Sequence, residues 1–405
     1  MMIAQLKKIG IVLWGLFLSA ALHGCQTVQY YGQAIGGQHR ILQSRRPITD
    51  IMADPNTSEL LRQRLKFILE VRRFAKDQLH LPVKNNYLTY VDLDKSYVAW
   101  NVMATPEFSM APKTWCYPFV GCAAYRGYFS EADALQYANS LKDQGYDVYV
   151  GGVTAYSTLG WFDDPVLSTF IHQSKADSAA LLFHELAHQV LYVPDDTTFN
   201  ESFATFVEQE GLRRWQEASG NSEIYRDYLA RYRRRQQFVG LVLVYRQKLV
   251  SLYQADLAPT EKRIEKASIF AELRKEFNHL KSEQIGLAAY NNWMNRSLNN
   301  AKLSGIAAYH DFVPAFGKLL AEKNGDLIQF YETCRQLANK KKDERDHILN
   351  ASLQKKMQPT GYLMHSNLTD KLNFFNILVD SDIPSTHTKR DSNVRKIFQF
   401  QRKAL

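Results

Sequence analysis

The chain has 405 residues, of which 45% are hydrophobic and 22% are charged, and its formal net charge is +9. These values exclude a disordered chain and predict a folded protein with one large domain or two closely packed domains. The positive charge is densest at residues 231–235, inside a polar helical pattern. We interpret this cluster as a solvated helix face, and we expect no nucleic-acid partner.

The first 24 residues predict a secretory signal peptide. Lys7 and Lys8 precede a mostly apolar stretch at residues 9–21, which is shorter than the roughly 20 residues of a membrane-spanning helix. Leu22-His23-Gly24-Cys25 then resembles the lipobox of bacterial lipoproteins, in which the cysteine is acylated. The resemblance implies a periplasmic protein anchored in a membrane by lipid on Cys25. Because no Asp follows Cys25, the outer membrane is favoured. An uncleaved signal anchor is the alternative.

Apolar spacing divides the remaining sequence into helical and strand patterns. We predict helices at 58–79, 131–144, 174–191 and 199–218, a strand at 146–153, a strand or hairpin at 87–100 and an ordered loop at 115–129. Stretches 221–255 and 259–282, separated at Ala258-Pro259, predict a long helical hairpin, and two or three helices follow at 284–340. The predicted fold is mostly α-helical α+β, with a small sheet beside the helix at 174–191.

The same patterns predict the domain organisation. After a signal peptide at 1–24, we expect a tether at 25–50, a sheet-containing region with the candidate site at 51–220, a helical region at 221–345 and a basic C-terminal tail at 346–405.

Two cysteines lie close together in the sheet-containing region at 51–220. Cys116 and Cys122 are candidates for a disulfide in an oxidising compartment, although spacing alone does not establish the pairing. Zinc binding by this pair is disfavoured, because no second Cys or His pair is nearby. Cys334 lies in a helical pattern, and we expect it to be a buried, inert thiol.

The sequence His184-Glu185-Leu186-Ala187-His188 carries the strongest chemical signal. Residues four apart lie on one face of a helix, so both imidazoles can reach one metal ion, and Glu185 can take a proton from metal-bound water. Two core histidines are the alternative. The next helical pattern begins with Asn200-Glu201-Ser202-Phe203-Ala204. Glu201 would complete the three protein ligands that a catalytic zinc ion requires.

The second segment is similar to the Asn-Glu-x-x-Ala third-ligand helix of gluzincin aminopeptidases, in which the gap after the histidines is usually longer. The Gly-x-Met-Glu-Asn sequence by which those enzymes bind the substrate amine is missing here. Together with the lipobox and the aromatic runs at 116–129 and 156–165, these motifs resemble a predicted bacterial zinc aminopeptidase family of exported lipoproteins, over roughly residues 22–340. The resemblance implies that His184, His188 and Glu201 bind zinc and that Glu185 is the base.

Further site residues follow from helix geometry and from the chemistry. Thr205 and Glu208 lie one and two turns after Glu201, so either could hold a ligating histidine, while Glu208 could equally be a surface acid. We predict Tyr309 as the donor that stabilises the transition state. Asn299 or Asn300 could bind the substrate backbone, and Arg126 could bind a substrate carboxylate, although a structural ion pair is the favoured role for Arg126. Strand 149–154 could pair with an extended peptide.

The sequence thus predicts zinc-dependent hydrolysis of peptide bonds, with zinc as cofactor and an aminopeptidase acting on peptides of the cell envelope as the favoured activity. A short-peptide endopeptidase is one alternative. A lipoprotein scaffold that retains zinc without catalysis is another, and a helical binder without metal is a third. The sequence identifies no protein partner.

Overall fold

The computed structural model describes residues 27–117, 121–220, 222–283, 286–306 and 312–354. The chain divides into two compact units, of which the first ends at Val313 and the second begins at Pro314. The fold is mostly α-helical with small sheets, so the predicted fold class is confirmed. Within the described ranges, no helix is both long enough and apolar enough to cross a membrane.

Residues 27–43 form helix α1, within the segment predicted as a tether. The side chain of Gln33 donates to the carbonyl of Gly127 over 3.3 Å and accepts from the amide of Phe129 over 3.0 Å. Ile41 is buried. These contacts attach α1 to the body of the first unit, so the described part of this segment is packed rather than extended.

The largest sheet has three antiparallel strands in the order β6-β3-β7. Its central strand is β3 (Ala99–Pro106), which pairs with β6 (Arg126–Tyr128) and with β7 (Tyr146–Val153). Helix α4 (Glu131–Asp143) contacts this sheet and contributes Ala134, Ala138 and Leu141 to the core beneath it. The strand predicted at 146–153 is confirmed.

The strand or hairpin predicted at 87–100 is two separate strands. Strand β2 (Thr89–Val91) belongs to a second small sheet, between β1 (Arg46–Pro47) and β8 (Val166–Leu167), while residues 99–100 begin β3. The loop predicted at 115–129 contains three short strands, β4 (Trp115–Tyr117), β5 (Gly121–Ala123) and β6. Three-residue strands are too short to show an alternating pattern, which is why the sequence did not reveal them.

The described chain also contains the following helical elements. They are α2 (Ile48–Ala53), α3 (Glu59–Asp77), α5 (Ser168–Ile171), α6 (Lys175–Ala187), α7 (Thr197–Ser219), α8 (Ser222–Gln254), α9 (Pro259–Glu283), a 3₁₀ turn (Leu287–Tyr290), α10 (Asn291–Asn295), α11 (Asn300–Ser304), α12 (Val313–Glu322), α13 (Leu327–Ala338) and α14 (Lys342–Gln354).

Helices α8 and α9 form the predicted long hairpin. Leu241, Leu249, Leu273 and Phe277 are buried in one cluster between them. The segment 284–340 contains more elements than the two or three helices predicted, because α10 and α11 have only five residues each and show no helical period. The predicted start of the tail at residue 346 falls inside α14, and residues after 354 lie outside the described chain.

Candidate metal centre

Helix α6 holds the two histidines on one face. Its N-terminus is capped by Ser174, whose side chain accepts a hydrogen bond from the amide of Asp177 over 3.1 Å. His188 lies at the C-cap with helical dihedral angles, and its amide donates to the carbonyl of His184 over 3.4 Å. His188 therefore stays one turn from His184, and the ring centroids are 4.9 Å apart.

Residues 188–196 return the chain so that α7 packs beside α6. Asn200 fixes this turn, because its side chain accepts from the amide of Val193 over 2.8 Å and donates to the carbonyl of Val193 over 2.7 Å. Further along α7, a Cβ atom on Gly211 would lie 2.7 Å from the ring of Phe183. Glycine at this position therefore permits the close approach of α7 that places Glu201 opposite the histidines.

The donor atoms of the three predicted ligands converge on one point. Nε2 of His184 lies 3.2 Å from Oε2 of Glu201, Nε2 of His188 lies 3.8 Å from Oε1 of Glu201, and the three donor groups lie within 4.8 Å of one another. Two ligand atoms bound to one tetrahedral zinc ion are about 3.4 Å apart. The spacing and the donor set, two imidazoles and one carboxylate, therefore fit a catalytic zinc ion with a fourth position open.

Glu208 lies beside the ring of His184, where it can hold that histidine in place. Its Oε2 lies 3.0 Å from Nδ1 of His184, and its Oε1 accepts a hydrogen bond from the hydroxyl of Tyr228 over 2.8 Å. When Nδ1 of His184 carries the proton and donates it in a hydrogen bond to Glu208, the lone pair on Nε2 can bind a metal ion. Thr205 is buried, but its hydroxyl makes no hydrogen bond with either histidine in the part of the chain that the structure describes.

The two histidines differ in their protonation. Burial lowers the pKa of His188 to about 4, which keeps the ring neutral and able to ligate a metal ion. Burial also disfavours the charged form of His184, but hydrogen bonds with Glu201 and Glu208 outweigh it and raise the pKa of that ring. A bound cation and the proton on His184 would compete for the same position beside Glu201.

Glu185 has the chemistry of a proton carrier. Burial raises the pKa of its carboxyl to about 7. Among the described residues, its side chain makes no hydrogen bond or ion pair. A carboxylate that is unpaired and titrates near neutrality can both accept and return a proton.

Two tyrosines near the centre were missed by the sequence reasoning. The ring of Tyr192 stands edge-on to His188 at 6.5 Å, and 41% of Tyr192 is exposed. Partial enclosure and the charge of Glu201 raise the pKa of Tyr125 to about 12, so its phenol stays protonated and can donate. The chain contains 22 tyrosines, and no spacing rule distinguished these two. Tyr309, the predicted donor, lies outside the described residues.

Asn299 and Asn300 hold α11 in place. The side chain of Asn299 accepts from the amide of Lys302 over 2.9 Å and donates to the carbonyl of Val148 over 2.8 Å. Asn300 is fully buried, and its side chain donates to the carbonyl of Glu107 over 2.9 Å. Both amides are thus engaged with the protein, so a role in binding the substrate backbone is not supported. The same contact at Val148 covers part of the β7 edge that could otherwise pair with a peptide.

Among the described residues, Arg126 forms no ion pair, although a structural ion pair is the role that its sequence context favours. Its guanidinium instead stacks on the rings of Tyr30 at 3.9 Å and Tyr137 at 4.7 Å, and its Nε is buried with no hydrogen-bond partner among the described residues. Cation–π contacts in this aromatic cluster replace the acid that the prediction required.

Cys116 and Cys122 face each other across the β4–β5 hairpin and are joined as a disulfide. The amide of Cys122 donates to Oδ1 of Asp195 over 2.6 Å. Asp195 belongs to the turn between α6 and α7, so the hairpin is attached to the segment that positions Glu201. Cys334 is a buried free thiol, while Cys25 lies outside the described residues.

Most of the chain matches one known protein family. Residues 29–349 match a family described as "Putative aminopeptidase". No curated protein and no solved structure matches the chain. Because the match spans well over half of the sequence and includes every described residue of the centre, the chain belongs to this aminopeptidase family.

Proposed function

We propose that the protein is a zinc-dependent peptidase that removes residues from the N-terminus of peptides. The observation that carries the proposal is the convergence of His184, His188 and Glu201 within 4.8 Å, with Glu185 on the helix of the two histidines. The carboxylate of Glu185 has no hydrogen-bond or ion-pair partner among the residues that the structure describes. Membership of the aminopeptidase family supports peptides as the substrate class. Two histidines four apart on a helix, with a glutamate between them and a carboxylate as third ligand, are typical of hydrolytic zinc sites, which supports zinc as the metal ion.

A bound zinc ion would supply Lewis acidity for the attacking water and for the scissile carbonyl. Glu185 accepts the proton from that water and delivers it to the leaving amine. Glu208 and Tyr228 keep the ring of His184 in the orientation required for ligation. The protonated phenols of Tyr125 and Tyr192 are the candidates for hydrogen bonding to the oxygen that gains negative charge.

An aminopeptidase also needs a carboxylate that binds the N-terminal ammonium group of the substrate. The candidates are Glu208, Asp163 and Asp164, and they differ in how far their oxygens are already engaged by the protein. Both oxygens of Glu208 are engaged, by His184 and by Tyr228. Asp164 is 5% exposed and accepts from the amide of Thr158 over 3.1 Å. Asp163 is partly exposed, and among the described residues its carboxylate accepts one hydrogen bond, from the side chain of Asn85 over 3.4 Å. The engagement of Glu208 and Asp164 favours a short-peptide endopeptidase as the second candidate function.

The location is also a proposal. The lipobox-like sequence supports acylation of Cys25, a periplasmic location and a lipid anchor, with the outer membrane favoured. A disulfide between Cys116 and Cys122 suits that oxidising compartment. The body of the protein would then act on peptides beside the membrane.

The deciding experiment combines elemental analysis of purified protein with cleavage of a peptide library. We expect about one zinc ion per chain and release of N-terminal residues from free peptides, with no release from their N-acetylated copies. Equal cleavage of both copies would exclude recognition of the amine and favour the endopeptidase. Full zinc content without cleavage of any peptide would favour a scaffold that retains zinc, and absence of zinc would contradict both.

A further inference from the structure

A cavity of about 80 Å³ lies between β3 and α11. Its floor is formed by buried residues, among them Ala104, Thr105 and Ala301, whereas Ala124, Tyr125 and Thr197 line it from exposed positions. The exposed residues therefore form the mouth of the cavity.

The mouth adjoins the candidate metal centre. Thr197 is four residues before Glu201 on α7, so the two lie on one face of the helix, about 6 Å apart along its axis. The phenol of Tyr125 is close enough to Glu201 and Glu185 to respond to their charges. A peptide whose carbonyl lies at the metal centre would therefore have a side chain within reach of this opening.

The size of the cavity limits what can enter it. A cavity of about 150 Å³, lined by apolar side chains, holds one benzene molecule in another protein. The space of about 80 Å³ here is roughly half of that, so it admits three or four heavy atoms and excludes an aromatic ring. Alanine, serine, threonine and valine side chains meet this limit.

One polar atom at the floor adds chemical selectivity. The hydroxyl oxygen of Thr105 is buried and has no hydrogen-bond partner in the ranges described. A buried hydroxyl without a partner is unfavourable, and a ligand hydroxyl at that depth would satisfy it. Three other lining residues carry a hydroxyl, namely Tyr125, Thr197 and Ser304, and the remaining side chains are apolar, among them Met103, Pro112 and Ala301.

We propose that this cavity receives the side chain of a residue that flanks the scissile bond, and that it restricts the substrates to small side chains, with threonine preferred over valine. The proposal rests on the proposed peptidase activity and specifies its substrate class. Ala124 is the residue at the mouth whose enlargement would block entry, because its side chain is exposed and its replacement does not disturb the core.

The test uses zinc-loaded protein and two peptide series, each varied at one of the residues flanking the scissile bond. At one of these positions we expect kcat/KM to be at least tenfold higher for threonine and valine than for phenylalanine. Ala124→Leu should lower the threonine and valine values at least tenfold, whereas Ala132→Leu, an exposed alanine on α4, should leave them unchanged. Thr105→Val should remove the preference for threonine over valine. Thermal unfolding of each variant verifies that it is folded.

The outcomes separate this inference from the proposed function. Cleavage that is as fast for phenylalanine as for threonine at both positions would overturn the inference and leave the peptidase intact. If no peptide were cleaved, the peptidase would fail, and binding of L-threoninamide and L-phenylalaninamide, followed by calorimetry, would still test the cavity. Tighter binding of threoninamide that is lost in Ala124→Leu and kept in Ala132→Leu supports the inference. Equal binding of the two amides overturns it.

Discussion

The carboxylate of Glu208 lies 3.0 Å from Nδ1 of His184, although 24 residues separate the two along the chain. The contact determines which ring nitrogen faces Glu201. His188 has no such partner, because its Nδ1 is buried without a hydrogen bond among the described residues. The two histidines are therefore held differently, His184 by a carboxylate and His188 by the end of α6.

This difference predicts the effect of removing Glu208. Glu208→Ala should weaken zinc binding about 10- to 100-fold, because an outer partner of a ligating histidine fixes its tautomer and orientation. Tyr228→Phe, which removes only the hydroxyl that donates to Glu208, should have a smaller effect in the same direction. Competition with a chelator measures the affinity, and Glu223→Ala, at an exposed acid of α8, is the control. Unchanged affinity in Glu208→Ala would contradict the assignment.

Metal binding and proton transfer should be separable. His184→Ala or Glu201→Ala should lose zinc, because two remaining ligands do not form a stable site. Glu185→Gln should keep zinc and lose about 10²- to 10⁴-fold in turnover. Elemental analysis and kinetics on the same preparations check both points. Full activity in Glu185→Gln would refute the mechanism.

Glu185 should also make the metal-free protein less stable at high pH. Its pKa is raised from 4.5 to about 7 by burial, so between these values the folded chain holds a proton that the unfolded chain releases. Ionisation of Glu185 therefore disfavours folding, with no effect below pH 4.5 and the full effect above pH 7. Because this carboxyl is partly solvent-accessible, we expect Glu185→Gln to stabilise the metal-free protein by about 1–3 kcal/mol at pH 8. At pH 4 the difference should vanish, as denaturant unfolding at both pH values can show.

The disulfide of the β4–β5 hairpin gives a further prediction. Alkylation followed by mass mapping should find Cys116 and Cys122 joined in protein recovered from the periplasm. Replacing both by serine should lower the free energy of unfolding by about 2–3 kcal/mol. Turnover should also fall, since the hairpin is attached through Cys122 to Asp195 in the α6–α7 turn. Reduction of the unsubstituted protein should cause the same loss of stability, and two free thiols in the native protein would count against the pairing.

Export predicts a defined N-terminus. Mature protein should begin at Cys25, carry acyl chains and partition into detergent, and Cys25→Ser should block the processing. Mass spectrometry of the intact protein checks the mass of the N-terminal segment. A mature chain that retains residues 1–24 would instead indicate a signal anchor.

The parts of the fold that the sequence predicted are those with a long, regular pattern. Strand β7 and the α8–α9 hairpin show the period of their element over many residues, and the predicted ends of α6 and α7 are within a few residues of the observed ones. The β4–β5 hairpin and the five-residue helices were missed because fewer than two periods are present. The helix at 27–43 was missed because Gly32, Gly36 and Gly37 disfavour a helix, and it is held by contacts such as those of Gln33.

The residues of the candidate site that lie close together in sequence could be predicted from their spacing. His184, His188 and Glu201 could be proposed because helix geometry relates positions four apart and because a short turn returns the chain. Tyr125 and the floor at Thr105 come from segments far upstream of α6, and only the tertiary structure brings them near the centre. Tyr228 lies on the next helix after α7, but no spacing rule relates it to Glu208. Asn300 shows the limit of reasoning from residue type. Its side-chain amide suggested a role in binding the substrate backbone, but in the structure this amide donates to the backbone carbonyl of Glu107.

The position of the three candidate ligands along the chain bears on how the protein folds. Only 17 residues separate His184 from Glu201, whereas β3 must find a partner strand nearly fifty residues away. The entropy lost on closing a loop grows with its length, so the α6–α7 segment closes at a lower entropic cost than the sheet does. Contacts between neighbours in sequence also form faster than distant ones. If the proposed zinc ion and the proposed export are both correct, an unfolded chain that emerges from the membrane would bind the ion before the sheet is complete, and the ion would act as a folding nucleus.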